Sequence, residues 1–294
     1  MIKTIIFIML IISMFTACAD KGTPGLAFRL INENTAYEVS IGTAPANVHI
    51  RIPARHNGLP VTRIADEGFA DLTLLTNITI PNSVTEIGDW AFAYCTGLTS
   101  LSIPNSVTTI GQYAFGGCTD LTSVTFQSPS RVTTIGQGAF FHCTSLTNIT
   151  IPNSVTLIGE GAFKECTSLT NVTFQSRSRV TTIGQEAFAL NSSLTSITIP
   201  NSVHTIGIAA FVLCTSLARV DIPNSVTSIY SAAFAYCTSL TNIFIPKSVT
   251  FIGNGAFHDS ANLTIYAEAT SQPAGWEVNW NSDNRPVVWG ATRP

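Results

Sequence analysis

The sequence has few charges. Charged residues make up 11% of its 294 residues and the formal net charge is -3, whereas globular proteins have roughly one quarter charged residues. No cluster of Lys or Arg is present that could neutralise phosphates, which excludes a surface for nucleic acids. Hydrophobic residues make up 45% of the chain, enough to form a packed core, so disorder is excluded as well.

Long apolar runs are also scarce. Beyond the N-terminal region, no segment is long and apolar enough to cross a bilayer of roughly 30 Å. Residues 1–17 combine the basic Lys3 with an apolar stretch from Ile5 to Ile12, which is too short for a transmembrane helix and is typical of an export signal. We therefore interpret residues 1–17 as a signal peptide.

The residues around Cys18 resemble the bacterial lipobox. The sequence Phe15-Thr16-Ala17-Cys18 places small residues before a cysteine, and the resemblance implies cleavage after Ala17 and attachment of lipid to Cys18. We expect an exported, membrane-anchored lipoprotein of the outer membrane or cell surface. Cleavage without lipidation, and retention of the segment as an anchor, are the alternatives.

A phenylalanine recurs along most of the chain. Its positions are separated by 23 residues, except for two intervals of 25. A period of this length indicates a solenoid, in which each coil buries its apolar face against its neighbours. The two longer intervals add residues in the turn after a strand, where we expect them to bulge outward. The repeat phenylalanines are Phe69, Phe92, Phe115, Phe140, Phe163, Phe188, Phe211, Phe234 and Phe257.

Each unit combines two patterns. Ile87, Ala91 and Cys95 are spaced four residues apart, like the apolar stripe of a helix, which predicts a short helix or 3₁₀ turn. Apolar and polar residues alternate over residues 100–103, which predicts a strand with one face inward. Pro104 cannot donate a ladder hydrogen bond, so the strand should end there.

Two units carry the repeat pattern most clearly. In one, the matching residues are Ile158, Gly159, Ala162, Phe163, Cys166, Leu169, Val172 and Phe174; in another they are Ile206, Gly207, Ala210, Phe211, Cys214, Leu217, Val220, Ile222, Pro223, Ser225 and Val226. The pattern resembles the BspA-type bacterial leucine-rich repeat, IGxxAFxxCxxLxxIxIPxSV, over roughly residues 48–266. This resemblance implies a surface-exposed adhesin or antigen.

We therefore predict an α/β solenoid of the leucine-rich repeat type, with a parallel sheet on one face, short helices or 3₁₀ turns on the other, and a cap at each end. The repeats span residues 48–266 and supply ten strands. Residues 18–47 form the predicted N-terminal cap and residues 267–294 the C-terminal cap. A ligand site is the alternative role for the tryptophans of the C-terminal segment, which are Trp276, Trp280 and Trp289.

Six cysteines each follow a repeat phenylalanine by three residues. Neighbouring coils hold equivalent Cα atoms near disulfide distance, but equivalent side chains point in parallel. We therefore expect a ladder of buried free thiols, with disulfides as the alternative. Zinc is excluded, because ladder cysteines lie about 4.8 Å apart and four of them cannot converge on one ion. They are Cys95, Cys118, Cys143, Cys166, Cys214 and Cys237.

The sequence contains no catalytic motif. Its five histidines occupy unrelated repeat positions, and none has a nucleophile or carboxylate at a motif spacing. The acidic residues are scattered, unlike the paired carboxylates of glycoside hydrolases. We predict a protein without enzymatic activity, metal or cofactor.

The outward strand positions predict a binding surface. They form rows of small uncharged residues that are interrupted near the C-terminal end of the repeats. Arg and aromatic side chains supply most of the energy of protein interfaces, so we predict a protein-binding patch at the interruption; drift in repeats near a terminus is the alternative. The candidate residues are Arg219, Asp221, Asn242, Phe244 and Lys247.

A second candidate patch lies on the predicted helical side. Trp90 and Tyr113 occupy one repeat position in neighbouring coils, and Tyr94 lies one predicted turn from Trp90. The three side chains predict an exposed aromatic cluster. Partial packing against the adjacent coil is the alternative, and it is the simpler explanation.

The resemblance also implies the class of partner. We expect host extracellular-matrix or plasma proteins, or other bacterial surface proteins, and a membrane contact solely through the lipid anchor. An envelope scaffold protein and a glycan-binding module are the alternative functions.

Overall fold

The computed structural model describes residues 22–46 and 49–293, which form a solenoid of strands and turns. The predicted signal peptide and Cys18 lie outside the described residues. No helix in the described part of the chain is long and apolar enough to span a membrane.

Residues 22–46 and 49–293 contain twenty-three strands, most of which have two to four residues. In chain order they are β1 (Ala27–Ile31), β2 (Ala36–Ser40), β3 (His49–Arg51), β4 (Arg55–His56), β5 (Leu59–Ile64), β6 (Asn77–Thr79), β7 (Glu86–Ile87), β8 (Ser100–Ile103), β9 (Thr109–Ile110), β10 (Ser123–Phe126), β11 (Thr134–Ile135), β12 (Asn148–Ile151), β13 (Leu157–Ile158), β14 (Asn171–Phe174), β15 (Thr182–Ile183), β16 (Ser196–Thr198), β17 (Thr205–Ile206), β18 (Arg219–Asp221), β19 (Ser228–Ile229), β20 (Asn242–Ile245), β21 (Phe251–Ile252), β22 (Thr264–Ala267) and β23 (Val287–Trp289).

The predicted parallel strands form the outer face, one in each coil. In β8, Leu101 and Ile103 are buried while Ser100 and Ser102 are exposed, as the alternation predicted. The outer strands fall into three hydrogen-bonded groups, which are β3 with β6, the six strands from β8 to β18, and β20 with β22 and β23. Among the described residues, no ladder joins β6 to β8 or β18 to β20.

A second sheet follows the short strands and runs along the whole solenoid. Its order is β1-β2-β5-β7-β9-β11-β13-β15-β17-β19-β21, with β4 paired to β5. All its pairs from β2 to β21 along this path are parallel, and β1 joins β2 antiparallel. This sheet was not predicted, because a strand of two residues such as Thr109–Ile110 is too short to show an alternation.

The prediction of short helices or 3₁₀ turns, and with it the α/β class, is wrong for the described residues. The segments around the repeat phenylalanines are turns. In every coil the residues two before and two after the phenylalanine have positive φ, for example Trp90 at 56° and Tyr94 at 57°. A left-handed residue cannot continue a right-handed helix. The turn nevertheless directs Ala91, Phe92 and Cys95 inward, which imitates the apolar stripe of a helix.

Hydrogen bonds of these turns run between coils. The amide of Phe92 donates to the carbonyl oxygen of Ala114 in the next coil, with N and O 2.7 Å apart. The equivalent bond recurs in each pair of neighbouring coils from Phe69 to Phe257. It forms a third ladder that takes the place of a helix.

The repeat phenylalanines form one stack through the core. Each is at most 1% exposed, and the ring centroids of Phe92 and Phe115 lie 5.3 Å apart with planes 4° from parallel. The longer interval between Phe115 and Phe140 leaves the spacing at 5.4 Å, so the insertion lies outside the core as predicted. Its effect is on the outer face, where β10 and β12 pair at one residue, Ser123 with Asn148.

Aromatic residues cover the C-terminal end of this stack. The ring of Trp280 meets that of Phe257 edge-on, at a centroid distance of 6.1 Å. The indole Nε1 of Trp276 donates to the carbonyl oxygen of Val249 at 3.1 Å, and both tryptophans are buried. At the other end, β2 pairs with β5 and brings the β1–β2 hairpin against the first coil.

Candidate protein-binding surface

The predicted polar rows lie in register on the outer face. Asn148 of β12 stands beside Asn171 of β14, and Thr150 beside Thr173. These side chains are exposed, whereas the residues between them are buried. At the N-terminal end of the rows, His49 pairs with Asn77. The rows therefore present an ordered, uncharged surface along most of the outer face.

The first candidate patch coincides with the break in the outer ladder between β18 and β20. Arg219 and Asp221 occupy adjacent row positions on β18 and form an ion pair with each other, with Nη2 3.2 Å from Oδ1. Their side chains are 74% and 43% exposed. A pair this exposed contributes little to stability, so both groups are available to a partner.

A groove lies between these strands. Asn242 and the half-buried Phe244 form its β20 side, and its volume is about 610 Å³. Arg293, which the sequence analysis missed, reaches into the groove. Its guanidinium carbon lies 5.1 Å from the centroid of the Phe244 ring, and its Nη2 donates to the carbonyl oxygen of Ile222. No repeat pattern extends to Arg293, so no sequence signal pointed to this contact.

Lys247 does not join the groove. Its backbone amide donates to Oε2 of Glu268 at 2.9 Å, and its Nζ lies 4.0 Å from Oε1 of the same carboxylate. The side chain is 80% exposed in the turn after β20. The structure thus brings together four of the five candidate residues and leaves Lys247 beside them.

Tyr266 is a residue of this surface that the sequence analysis missed. It pairs with Phe244 in the parallel register of β20 and β22 and is exposed. Extending the outward rows by one coil would have found it. With it, the outer face presents two neighbouring aromatic rings at the C-terminal end of the rows.

The second candidate patch forms an aromatic cluster on the turn side. The rings of Trp90 and Tyr113 stack with centroids 4.3 Å apart, and Trp90 lies 6.5 Å from Tyr94. Phe141, which was not predicted, meets Tyr113 edge-on at 6.1 Å. Tyr94 is exposed and the other three are half-buried, so packing between coils accounts for much of their surface.

The six cysteines of the repeats are buried and unpaired, as predicted. Each thiol donates to the carbonyl oxygen of the repeat phenylalanine in the preceding coil, and Cys118 Sγ lies 3.2 Å from the oxygen of Phe92. Burial raises the pKa of the Cys95 thiol from 9.0 to about 12. The arrangement holds coils together and offers no accessible nucleophile.

A polar cluster joins the last coil to the C-terminal segment. His258 Nδ1 lies 2.9 Å from Oδ1 of Asp283 and 3.2 Å from Oγ of Ser282, and its Nε2 lies 3.4 Å from Oδ2 of Asp259. Asp283 also accepts hydrogen bonds from the amide of Asp259 and from Arg285 Nη2, the latter at 3.0 Å.

Geometry argues for a structural role of this cluster. His258, Asp259 and Asp283 are close enough to bind a metal ion, but the guanidinium of Arg285 already neutralises Asp283. Asp283 and Ser282 also compete for the same imidazole nitrogen, so the histidine is not free to activate the hydroxyl. The hydrogen bonds and ion pairs of this cluster therefore attach the C-terminal segment to the last coil.

Comparison with known proteins agrees with the repeat pattern. The family described as the BspA type Leucine rich repeat region matches residues 56–156 and 133–264, in six copies. None of the curated proteins matches the sequence.

Solved structures share the architecture. A leucine-rich repeat protein from Bacteroides ovatus ATCC 8483 superposes with a TM-score of 0.74 at 28% identity, over 91% of this chain and 70% of that one. The pneumococcal vaccine antigen PcpA superposes with a TM-score of 0.51 at 19% identity, over 92% of this chain and 86% of that one. The second likeness concerns the fold alone.

Proposed function

Because the chain belongs to the BspA-type leucine-rich repeat family, we propose that it is an exported cell-surface protein that binds other proteins through its outer face. The observation that carries this proposal is the groove of Arg219, Asp221, Asn242 and Phe244, which interrupts rows of small polar side chains. A preordered surface loses little conformational entropy on binding, and the charged and aromatic interruption would supply specificity.

The partners we propose are host extracellular-matrix or plasma proteins, or surface proteins of other bacteria. Surface display would follow from export through the signal peptide and lipidation of Cys18, both of which rest on the sequence. We also propose that residues 18–47 and 267–294 act as caps; the burial of Trp276 and Trp280 against the last coil supports this role. The protein would act by binding, without catalysis.

A pull-down of host and bacterial surface proteins with the full chain tests this function. The triple variant Arg219→Ala, Asp221→Ala, Phe244→Ala should lose the captured partner. The matched control changes three regular row positions, Asn171→Ala, Thr150→Ala and Thr173→Ala, and should retain it. Loss in both variants would place binding on the whole face, and retention in both would refute the proposed patch.

Protease treatment of intact cells separates surface binding from an envelope scaffold. We expect added protease to remove the protein from intact cells, because the proposed function requires exposure outside the cell. Complete protection, with cleavage after the envelope is opened, would favour the scaffold function.

Glycan binding is a second candidate function, which the pair Phe244 and Tyr266 favours. The two residues stand side by side on β20 and β22, beside the exposed polar rows. Adjacent aromatic rings with hydroxyl and amide groups suit the stacking of a sugar. Binding on a glycan array that is lost in Phe244→Ala and in Tyr266→Ala would support this function over protein binding.

A further inference from the structure

The carbonyl oxygen of Ile222 directly follows β18 and, like those of Ile80 and Ile199, has a proline of the next coil at the position of its donor. Where the next coil carries an insertion, a glutamine replaces this proline and its amide bonds the equivalent carbonyl; Gln127 N donates to Ile103 O at 2.9 Å, and Gln175 N to Ile151 O at 3.0 Å. The residue that would donate to Ile222 is Pro246, which has no amide hydrogen. The carbonyl oxygen of Ile222 therefore receives no backbone hydrogen bond from Pro246 and can accept one from a group in the groove.

Arg293 supplies the missing donor. Its Nη2 bonds the oxygen of Ile222, and its guanidinium lies over the face of Phe244 with Cζ 5.1 Å from the centroid. A guanidinium over an aromatic face is attracted to the negative face of the ring. Asp221 lines the same groove. Among the described side chains, its carboxylate forms a hydrogen bond and ion pair with Arg219 alone.

The groove therefore combines three groups that recognise a guanidinium, which are an aromatic face, an open carbonyl oxygen and a carboxylate. An arginine side chain satisfies all three through its flat shape and five N–H donors. An anionic ligand would meet Asp221 with like charge, and a neutral donor could bond the carbonyl but would gain no charge attraction from Asp221 or from the Phe244 ring. The occupant that fits this chemistry is a cationic, planar group.

We propose that the groove between β18 and β20 receives an arginine side chain of a partner protein, and that Arg293 occupies it in the free protein. The inference deepens the proposed function, on which it rests, by naming the chemistry that the partner presents. Arg293 acts as an internal competitor, which a partner displaces by presenting its own arginine together with contacts along the polar rows.

Internal competition has a measurable size. A tethered group has an effective concentration in the millimolar range, and a single guanidinium contact of this kind also binds in that range. With the two values about equal, Arg293 occupies the groove about half of the time, so its removal should tighten the binding of an external arginine by about twofold. The effect should appear for a small probe that can make no other contact.

The test uses Nα-acetyl-arginine N-methylamide as the probe, titrated into the full chain and followed by NMR shifts of residues in β18 and β20. We expect Arg293→Ala to bind the probe about twofold more tightly than the unmodified protein. The matched control probe is Nα-acetyl-citrulline N-methylamide, which has the same shape without the charge. It should bind Arg293→Ala at least about tenfold more weakly than the arginine probe binds the same variant.

Two further variants guard against indirect effects. Adding Phe244→Leu to Arg293→Ala should weaken binding of the arginine probe several-fold, whereas adding Lys247→Ala should leave it unchanged, since Lys247 lies outside the groove. Melting temperatures close to that of the unmodified protein establish that the variants fold. Equal affinity of the arginine probe for the unmodified protein and Arg293→Ala, or equal binding of both probes, would overturn the inference.

The outcome is separable from that of the proposed function. If the full chain captures a partner protein but Arg293→Ala does not bind the arginine probe, the inference fails and protein binding stands. If the probe binds as expected but no protein is captured, the chemistry of the groove stands and the proposed function loses support.

Discussion

Cys166 donates its thiol hydrogen to the carbonyl oxygen of Phe140, with Sγ and O 3.1 Å apart. Phe140 belongs to the preceding coil, so the bond joins two coils inside the core. Where the repeat lacks cysteine, Asn191 and Ser260 make the equivalent bond with an amide and a hydroxyl. In the first coil Leu72 takes this position, where no earlier repeat phenylalanine exists. The position thus selects for a small hydrogen-bond donor.

Substitution of Cys166 tests this role. We expect Cys166→Ala to lower the free energy of unfolding by about 1–2 kcal/mol, because it leaves a buried carbonyl unpartnered and a small cavity. Cys166→Ser keeps a donor, as Ser260 does naturally, and should lose less. Urea denaturation followed by circular dichroism measures both variants. Equal losses would show that the hydrogen bond does not matter.

Alkaline pH should destabilise the fold through the buried thiols. Burial raises the pKa of Cys95 and of Cys214 from 9.0 to about 12. A group with a higher pKa in the folded state stabilises the fold fully below its unfolded pKa, and this contribution is lost as the pH rises towards the folded value. Within this window, each such thiol should therefore lower the free energy of unfolding by about 1.4 kcal/mol for each unit that the pH rises.

Denaturation curves between about pH 8 and pH 11 measure this slope. Replacing Cys95 and Cys214 with serine should make the loss of stability with pH shallower, because a hydroxyl does not ionise in this range. A slope identical to that of the unmodified protein would contradict the prediction.

The left-handed turn positions predict opposite effects of glycine and alanine. Gly161 has a φ of 57°, and a Cβ there would have room, since its nearest neighbour is Lys164 Cβ at 3.7 Å. Gly161→Ala should therefore destabilise by about 1 kcal/mol through backbone strain alone. Ala232, at a φ of 56°, is the reverse case, and Ala232→Gly should not destabilise and should gain up to about 1 kcal/mol.

A control at Ala218 completes this comparison. Ala218 is exposed and is not among the residues with positive φ, so Ala218→Gly should destabilise by about 0.5–1 kcal/mol through the entropy of the unfolded chain. Thermal denaturation ranks the three variants. Destabilisation by Ala232→Gly as large as by Ala218→Gly would refute the role of the left-handed turn.

Acidic pH should loosen the C-terminal segment. Partial burial would raise the pKa of Asp283, but hydrogen bonds from the amide of Asp259 and from His258 and Arg285 lower it overall. A lowered carboxyl pKa means that stabilisation is complete at neutral pH and is lost as the pH falls through the folded value, below the ordinary carboxyl range. Tryptophan fluorescence in a Trp90→Phe background should report this loosening.

Asp283→Asn provides the comparison for that experiment. The amide cannot titrate, so the variant should start less stable at neutral pH and should change less on acidification. Equal acid sensitivity in the two proteins would assign the transition to other carboxyl groups.

The core and the outward rows were predictable because periodicity alone specifies them. Phe92 and Phe115 recur at a fixed interval and stack, and Asn148 and Asn171 occupy equivalent positions and stand in register. The turn segments were mispredicted because the type of a residue does not determine its backbone angle φ. Trp90 takes a left-handed conformation that a helix would exclude, although tryptophan gives no sign of it.

The candidate groove was predictable in part. Arg219, Asp221 and Phe244 stood out because they break a regular pattern. Arg293 could not be found, since it lies 71 residues from Ile222 and outside the repeats. The C-terminal segment that follows the repeats has no periodic pattern. The sequence therefore predicts the outer surface of the repeats but not which residues of that segment contact it.

The interruption of the outer ladder has a mechanical consequence. On the opposite side, β19 and β21 remain paired between the same two coils where β18 and β20 are not. Bending at this point would widen the outer face without breaking a ladder hydrogen bond between β18 and β20. The second sheet, which is continuous from β1 to β21, would keep the same two coils joined. At both breaks, between β6 and β8 and between β18 and β20, a change of curvature would therefore break no paired strand of the outer face, since among the described residues no ladder joins these strands.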